Sequence, residues 1–104
     1  MHVPAMKTVL LGASVLALST LSQANPSATQ LRTWASACAS CHGTTGKPTG
    51  DAYPIAGVDQ ATLERKLLDF KGKKIPATLM HQIAAGYSDD ELKALAAYFA
   101  KQPK

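Results

Sequence analysis

The sequence predicts a small all-α protein of three main helices and one short helix. Apolar side chains recur at helical spacing in three stretches, which are Leu31–Cys38, Leu63–Phe70 and Leu92–Phe99. Spacing of this kind, at i, i+3, i+4 and i+7, places the apolar groups along one face of a helix. From Gly43 to Val58, glycine and proline recur too often for regular structure, so this segment is predicted to be a loop.

Polar residues typical of helix starts precede each predicted main helix. Asn25-Pro26-Ser27 precedes the first helix, and Asp59 precedes the second, which is expected to stop at Gly72. Ser88-Asp89-Asp90-Glu91 has the spacing of a capping box, and its acidic groups suit the positive end of the helix dipole. Each helix therefore has both a start signal and an apolar face.

The end of the first predicted helix carries the motif Cys38-Ala39-Ser40-Cys41-His42. The pattern Cys-x-x-Cys-His is typical of covalent attachment of a c-type haem. Two thiols at this spacing can each add across one vinyl group of the porphyrin, and the histidine that follows can bind the iron. The sequence therefore predicts thioethers at Cys38 and Cys41 and an axial ligand at His42.

Two other chemistries use a Cys-x-x-Cys pair, namely dithiol redox centres and zinc sites. Zinc would need two further ligands, and the sequence offers only His2 and His81 as other histidines and no third cysteine. Thioredoxin-like motifs occur in a βαβ context, which this helical pattern lacks. Covalent haem accounts for the motif better than either alternative.

A six-coordinate haem iron needs a second axial ligand, and the segment from Pro76 to Ala85 offers two candidates. Met80 is the only methionine after residue 24, so a thioether ligand would have to be Met80. His81 is the competitor, but adjacent side chains point in different directions on a regular backbone. Met80 is the predicted ligand.

Residues 1–24 have the features of a signal peptide. Lys7 supplies a positive start, Val9 to Leu21 is almost wholly apolar, and Ser22-Gln23-Ala24 predicts cleavage after Ala24. The remaining domain would comprise residues 25–104. An uncleaved anchor and a start at Met6 are the alternatives.

The compartment follows from the leader and the haem motif together. The apolar run falls short of the ~20 residues that a spanning helix needs, so no stable membrane insertion is expected after cleavage. Bacteria attach haem to such motifs outside the cytoplasm, which predicts a periplasmic protein.

The formal net charge is +4, which is too mild and too scattered to predict nucleic-acid binding. A basic cluster on and after the second predicted helix is the more informative feature. If this cluster lies near the haem edge, it would steer an acidic redox protein partner. Its members are Arg65, Lys66, Lys71, Lys73 and Lys74.

These features occur in the same order along the chain as in class I monohaem cytochromes c, and the resemblance extends over residues 25–104. The resemblance implies the small fold of that family, wrapped around one haem, and outer-sphere electron transfer with no bond made or broken in a substrate. Such a protein is not an enzyme by itself. A haem sensor or peroxidase would need an open iron position, which Met80 disfavours.

Tyr53–Gly57 and Met80–Leu92 are similar to segments in the cytochrome subunit of flavocytochrome c sulfide dehydrogenases. That resemblance implies one covalent haem c on Cys38 and Cys41, axial ligation by His42 and Met80, and a Pro54 carbonyl that accepts a hydrogen bond from His42. It also implies a flavoprotein sulfide dehydrogenase partner. The alternative function is a freely diffusing carrier between a dehydrogenase and a terminal oxidase or reductase.

Overall fold

The computed structural model describes residues 1–5, 12–14 and 25–104, so the predicted cleavage point after Ala24 lies outside the described residues. The described part of the chain contains four helices and no strand, which confirms the all-α prediction. Three helices are long and one is short, as expected. They are α1 (Ala28–His42), α2 (Gln60–Lys71), α3 (Met80–Ala85) and α4 (Asp89–Ala100).

Helix α1 begins and ends at residues whose local chemistry requires it. The hydroxyl of Ser27 accepts a hydrogen bond from the Gln30 amide at 3.1 Å and caps the start. At the other end, Gly43 has a φ of +86°, and a Cβ there would lie 2.1 Å from the Lys47 carbonyl oxygen. The helix therefore stops immediately after His42, the last residue of the cysteine motif.

Helix α2 has the predicted cap and the predicted stop. The Asp59 carboxylate accepts hydrogen bonds from the amide and the hydroxyl of Thr62, both at 3.0 Å, and these bonds hold the pKa of Asp59 below its ordinary value. Gly72 ends the helix. The Lys71 ammonium bonds the Asp89 carboxylate at 2.9 Å, which joins the end of α2 to the start of α4 and lowers the pKa of Asp89.

Helix α4 begins with the complete capping box that the sequence predicts. Ser88 accepts from the Glu91 amide at 3.1 Å, and the Glu91 carboxylate accepts from the Ser88 amide at 2.9 Å. The predicted apolar face is buried. Its members are Leu92, Leu95, Ala96 and Phe99.

Replacing Ser88 with alanine is expected to lower the free energy of unfolding by about 1 kcal/mol, because one end of the capping box is lost. Chemical denaturation of the intact protein measures the effect. Ser36→Ala is the matched control, since Ser36 is exposed in the middle of α1, where substitution is usually neutral within about 0.5 kcal/mol. Equal losses in the two variants would contradict a stabilising role for the cap.

Helix α4 lies at the centre of the packing, because both α1 and α2 pack against it, while α3 packs against α2. Trp34 of α1 and Tyr98 of α4 are partly buried against the same core cluster, which includes Phe99, where the first and last helices meet. Within the described ranges, no helix has the length and apolar character needed to cross a membrane.

The core is small, and half of its residues are alanine. Among the described residues, the only fully buried large side chains are Leu92 and Leu95. In the described ranges, the buried apolar residues are Ala35, Ala56, Leu63, Ala84, Leu92, Leu95, Ala96 and Phe99. Side chains of this size fill little volume, so the helices alone make a thin core.

Candidate functional site

The last turn of α1 presents both thiols and the imidazole of the cysteine motif. Positions 38, 41 and 42 are spaced at i, i+3 and i+4, so Cys38, Cys41 and His42 share one side of the helix. Cys38 is half-buried and Cys41 is exposed, and neither forms a disulfide. Burial raises the pKa of the Cys38 thiol, the opposite of the lowered value that marks a reactive dithiol centre.

The ring of His42 is held by a main-chain carbonyl. Its Nδ1 lies 2.6 Å from the Tyr53 carbonyl oxygen. An Nδ1–H that donates to this carbonyl leaves Nε2 with a lone pair for a metal. The geometry is therefore that of a histidine oriented for ligation through Nε2.

The predicted acceptor for this bond, the Pro54 carbonyl, was wrong by one residue. The Ile55 amide, which shares a peptide unit with the Pro54 carbonyl, donates to the Gly46 carbonyl at 2.9 Å. In a trans peptide the N–H and C=O groups point in opposite directions, so the Pro54 carbonyl is directed away from Gly46. The preceding carbonyl, that of Tyr53, meets His42 instead.

Hydrogen bonds across the loop hold the Tyr53 carbonyl in place. The Gly46 carbonyl accepts from both Ile55 and Ala56, at 2.9 and 3.1 Å, and the Gly57 amide donates to the Phe99 carbonyl of α4 at 2.9 Å. Gly46 has a φ of +87°, and a Cβ there would lie 2.7 Å from the Ala56 nitrogen. The loop is thus stabilised by internal hydrogen bonds and is hydrogen-bonded to α4.

Met80 is the first residue of α3 and is half-buried. The competing His81 is engaged elsewhere, since its Nε2 lies 2.5 Å from the Ile75 carbonyl oxygen and its ring packs beside Phe70 with centroids 6.3 Å apart. Ile83, one turn further along α3, is 39% exposed. The thioether of Met80, in contrast to the His81 ring, makes no hydrogen bond within the described residues. Of the two candidate ligands, Met80 is therefore the one that is not already engaged.

Apolar surface accompanies these potential ligands. Tyr53 is 58% exposed beside His42, while Leu79 is 59% exposed directly before Met80. A large apolar group bound here would cover this surface and would add to a core that is half alanine. A covalently attached haem requires two thiols that can bond to the porphyrin, together with groups such as an imidazole and a thioether that can ligate its iron. The residues present therefore fit that group.

Two members of the predicted basic cluster contact other side chains among the described residues. Lys71 pairs with Asp89, and the Lys66 ammonium lies 4.8 Å from the centroid of the Tyr53 ring, a cation–π contact. Lys73 and Lys74 are exposed. Lys66 thus lies beside Tyr53, whose carbonyl bonds the His42 ring.

The family model described as cytochrome C oxidase, cbb3-type, subunit III matches residues 26–99, which include the whole cysteine motif and all four helices up to Phe99. The chain belongs to this cytochrome c family. Its members carry a covalent c-type haem, which decides between the three chemistries of the motif. This cytochrome is thus an electron-transfer haem protein of the class I monohaem type.

Relatives with assigned names agree with that membership. The chain is similar to cytochrome c-553 of Helicobacter pylori, at 33% identity over 89% of this chain and 95% of that protein. It is also similar to the cytochrome subunit of sulfide dehydrogenase of Chlorobaculum tepidum, at 36% identity over 64% of this chain and 61% of that subunit. A third similarity is to the thiosulfate dehydrogenase electron acceptor of Stutzerimonas stutzeri, at 39% identity over 61% of this chain and 31% of that protein.

Sequence reasoning missed two features of this site. One is Gly46, whose carbonyl accepts two amides from the other side of the loop. In the sequence it is one of several glycines in this loop, and nothing marks it out from the others. The other is Tyr87, whose hydroxyl donates to the Trp34 carbonyl at 3.2 Å across 53 residues of chain. Burial, and to a smaller extent the nearby Cys38 and Glu91, raises the pKa of Tyr87.

Proposed function

We propose that this cytochrome transfers single electrons in the periplasm as the cytochrome subunit of a sulfide-oxidising flavocytochrome c, with His42 and Met80 as axial ligands. The observation that carries the ligation is the 2.6 Å bond between His42 Nδ1 and the Tyr53 carbonyl, because it directs Nε2 to a metal. The engagement of His81 with the Ile75 carbonyl supports Met80 as the second ligand.

Each residue of the site has a separate task. Cys38 and Cys41 would attach the cofactor, and Tyr53 orients the imidazole while its carbonyl increases the electron density on the ring. When bound, the haem supplies an iron that accepts and releases one electron. A thioether at Met80 favours the ferrous state and raises the reduction potential, which suits acceptance of electrons from a dehydrogenase.

The proposed partner is a flavoprotein that oxidises sulfide. Two relatives support a dehydrogenase of an inorganic sulfur compound as the donor. One is named as the cytochrome subunit of sulfide dehydrogenase and one as the thiosulfate dehydrogenase electron acceptor. Exposed Ile83, one turn beyond Met80 on α3, provides apolar surface of the type that permanent subunit interfaces use. In this arrangement the partner performs the chemistry and the cytochrome removes the electrons.

Periplasmic location is part of the proposal and depends on residues 1–24 acting as a signal peptide cleaved after Ala24. The charged start at Lys7, the apolar run and the small residues before Asn25 support it. The domain formed by residues 25–104 would then carry the haem outside the cytoplasm.

The second candidate function is a freely diffusing carrier. The match to cytochrome c-553 along 95% of that protein supports it, because the name of that relative does not describe an enzyme subunit. The exposed ammonium groups of Lys73 and Lys74 would suit transient docking to an acidic partner. Such docking weakens as salt screens the charges.

Native purification from periplasm distinguishes the two candidates. A flavocytochrome subunit is expected to copurify with a bleachable flavin absorption in addition to ferrous c-type haem bands, and sulfide should reduce its haem. The control is the cytochrome separated from the flavin-containing fraction, which sulfide alone should reduce far more slowly. Haem bands without flavin, and electron transfer that falls as salt rises, would contradict the subunit role and support the carrier.

A further inference from the structure

The two predicted axial ligands lie on helices that have different main packing partners. His42 ends α1, which packs chiefly against α4, whereas Met80 begins α3, which packs chiefly against α2. The relative position of the two ligands therefore depends on an indirect path through α2 and α4. A direct connection between α1 and the segment around α3 would shorten that path.

Tyr87 provides such a connection. It lies between the end of α3 and Ser88, the cap of α4, and its amide donates to the Ala84 carbonyl at 3.2 Å, so its main chain is fixed to α3. Its hydroxyl donates to the Trp34 carbonyl at 3.2 Å. Among the hydrogen bonds of the described residues, this is the one that joins α1 to residues 79–88.

The acceptor lies one helical turn before the first cysteine. In α1 the Trp34 carbonyl also accepts the amide of Cys38, because helical hydrogen bonds run from residue i to residue i−4. The Tyr87 hydroxyl thus reaches the turn that carries Cys38, and the ring is partly buried against the core. A shift of α3 relative to the cysteine motif would have to break this bond or move the ring out of its packing.

We propose that Tyr87 is a positioning residue for the methionine ligand: the bond from its hydroxyl to the Trp34 carbonyl sets the separation between the cysteine motif of α1 and Met80 at the start of α3. The inference rests on the proposed ligation by Met80. It assigns Tyr87 a role in how firmly the thioether is held, beyond its share in the core.

The test uses the haem-loaded full chain with Tyr87→Phe, which removes one oxygen and keeps the ring packing. Imidazole is titrated into the ferric protein, where it competes with the methionine, and loss of the sulfur-to-iron absorption band reports the exchange. Tyr87→Phe is expected to bind imidazole about fivefold more tightly than the unmodified protein. That ratio corresponds to the ~1 kcal/mol of one neutral hydrogen bond.

Tyr98→Phe is the matched control. Tyr98 is also a half-buried tyrosine against the core, with its ring 5.1 Å from that of Phe99, and its hydroxyl donates no hydrogen bond within the part of the chain that the structure describes. This variant should bind imidazole as the unmodified protein does. The thermal unfolding midpoint of each variant is recorded beside the titration.

The outcomes separate the positioning role from the ligation on which it rests. If the unmodified ferric protein lacks the sulfur-to-iron band, the Met80 ligation is overturned and this inference with it. If the band is present and Tyr87→Phe binds imidazole no more tightly than Tyr98→Phe, the inference alone is overturned. A lower unfolding midpoint with unchanged imidazole affinity would show that Tyr87 is only a packing residue.

Discussion

Replacing Met80 with alanine is expected to abolish the sulfur-to-ferric-iron absorption band and to lower the reduction potential. The band requires a thioether on the iron, and Met80 is the only methionine in residues 25–104. Loss of the thioether removes the preference for the ferrous state, so the potential should fall by on the order of 0.1 V or more, within the ~0.8 V that axial ligands span. Absorption spectroscopy and a spectroelectrochemical titration measure the two effects.

His81→Ala is the matched control for this substitution, because His81 is the adjacent candidate ligand. Its Nε2 is bonded to the Ile75 carbonyl, so the variant should keep both the band and the potential, with at most a loss of stability from the missing hydrogen bond. The opposite pattern, with the band lost in His81→Ala and kept in Met80→Ala, would overturn the assignment. A band that survives both changes would require a ligand from elsewhere in the chain.

Replacing both Cys38 and Cys41 with alanine is expected to leave haem that acid acetone extracts completely, whereas the unmodified protein should retain all of it. The two thiols at the end of α1 are the groups that would form the thioethers. The extraction assay compares haem in the organic phase with haem that stays on the chain. Haem that stayed attached to the double variant would contradict the thioether assignment.

Once its unattached haem has been removed, the same double variant is expected to be poorly folded. The core of the described residues is half alanine and has only two fully buried large side chains, so little apolar area stabilises the helices without the cofactor. Circular dichroism and thermal melting should show reduced helix content and no cooperative transition. Ser40→Ala, an exposed position between the two cysteines, is the control and should leave both haem attachment and melting unchanged.

Local signals predicted most of the helical structure correctly. Ser27, Asp59 and Ser88 cap the helices that their positions predict, and Gly72 ends α2 as expected. These features depend on hydrogen bonds between residues three or four positions apart, which the amino-acid order states directly. The cysteine motif is equally local, and it was sufficient to predict the cofactor class that the family membership shows.

The placement of the site around that motif required long-range contacts. The carbonyl that contacts His42 comes from Tyr53 and not from Pro54. The Ile55 and Ala56 amides donate to the Gly46 carbonyl, and these bonds fix the direction of the peptide units that follow Tyr53. A resemblance in sequence identified the right loop but not the right carbonyl. Which of two consecutive carbonyls faces a ring depends on how the whole loop closes.

By itself, the amino-acid order determined the three main helices, the residues that cap their starts and the haem motif, since each of these rests on interactions within about one helical turn. Only the tertiary structure showed that the Tyr53 carbonyl is the acceptor for His42 and that Tyr87 bonds to Trp34. It also showed that Lys66 contacts the Tyr53 ring and that Lys71 pairs with Asp89. Those contacts join residues that are distant along the chain. They form only once α1, α2 and α4 have packed together, so no spacing rule reveals them.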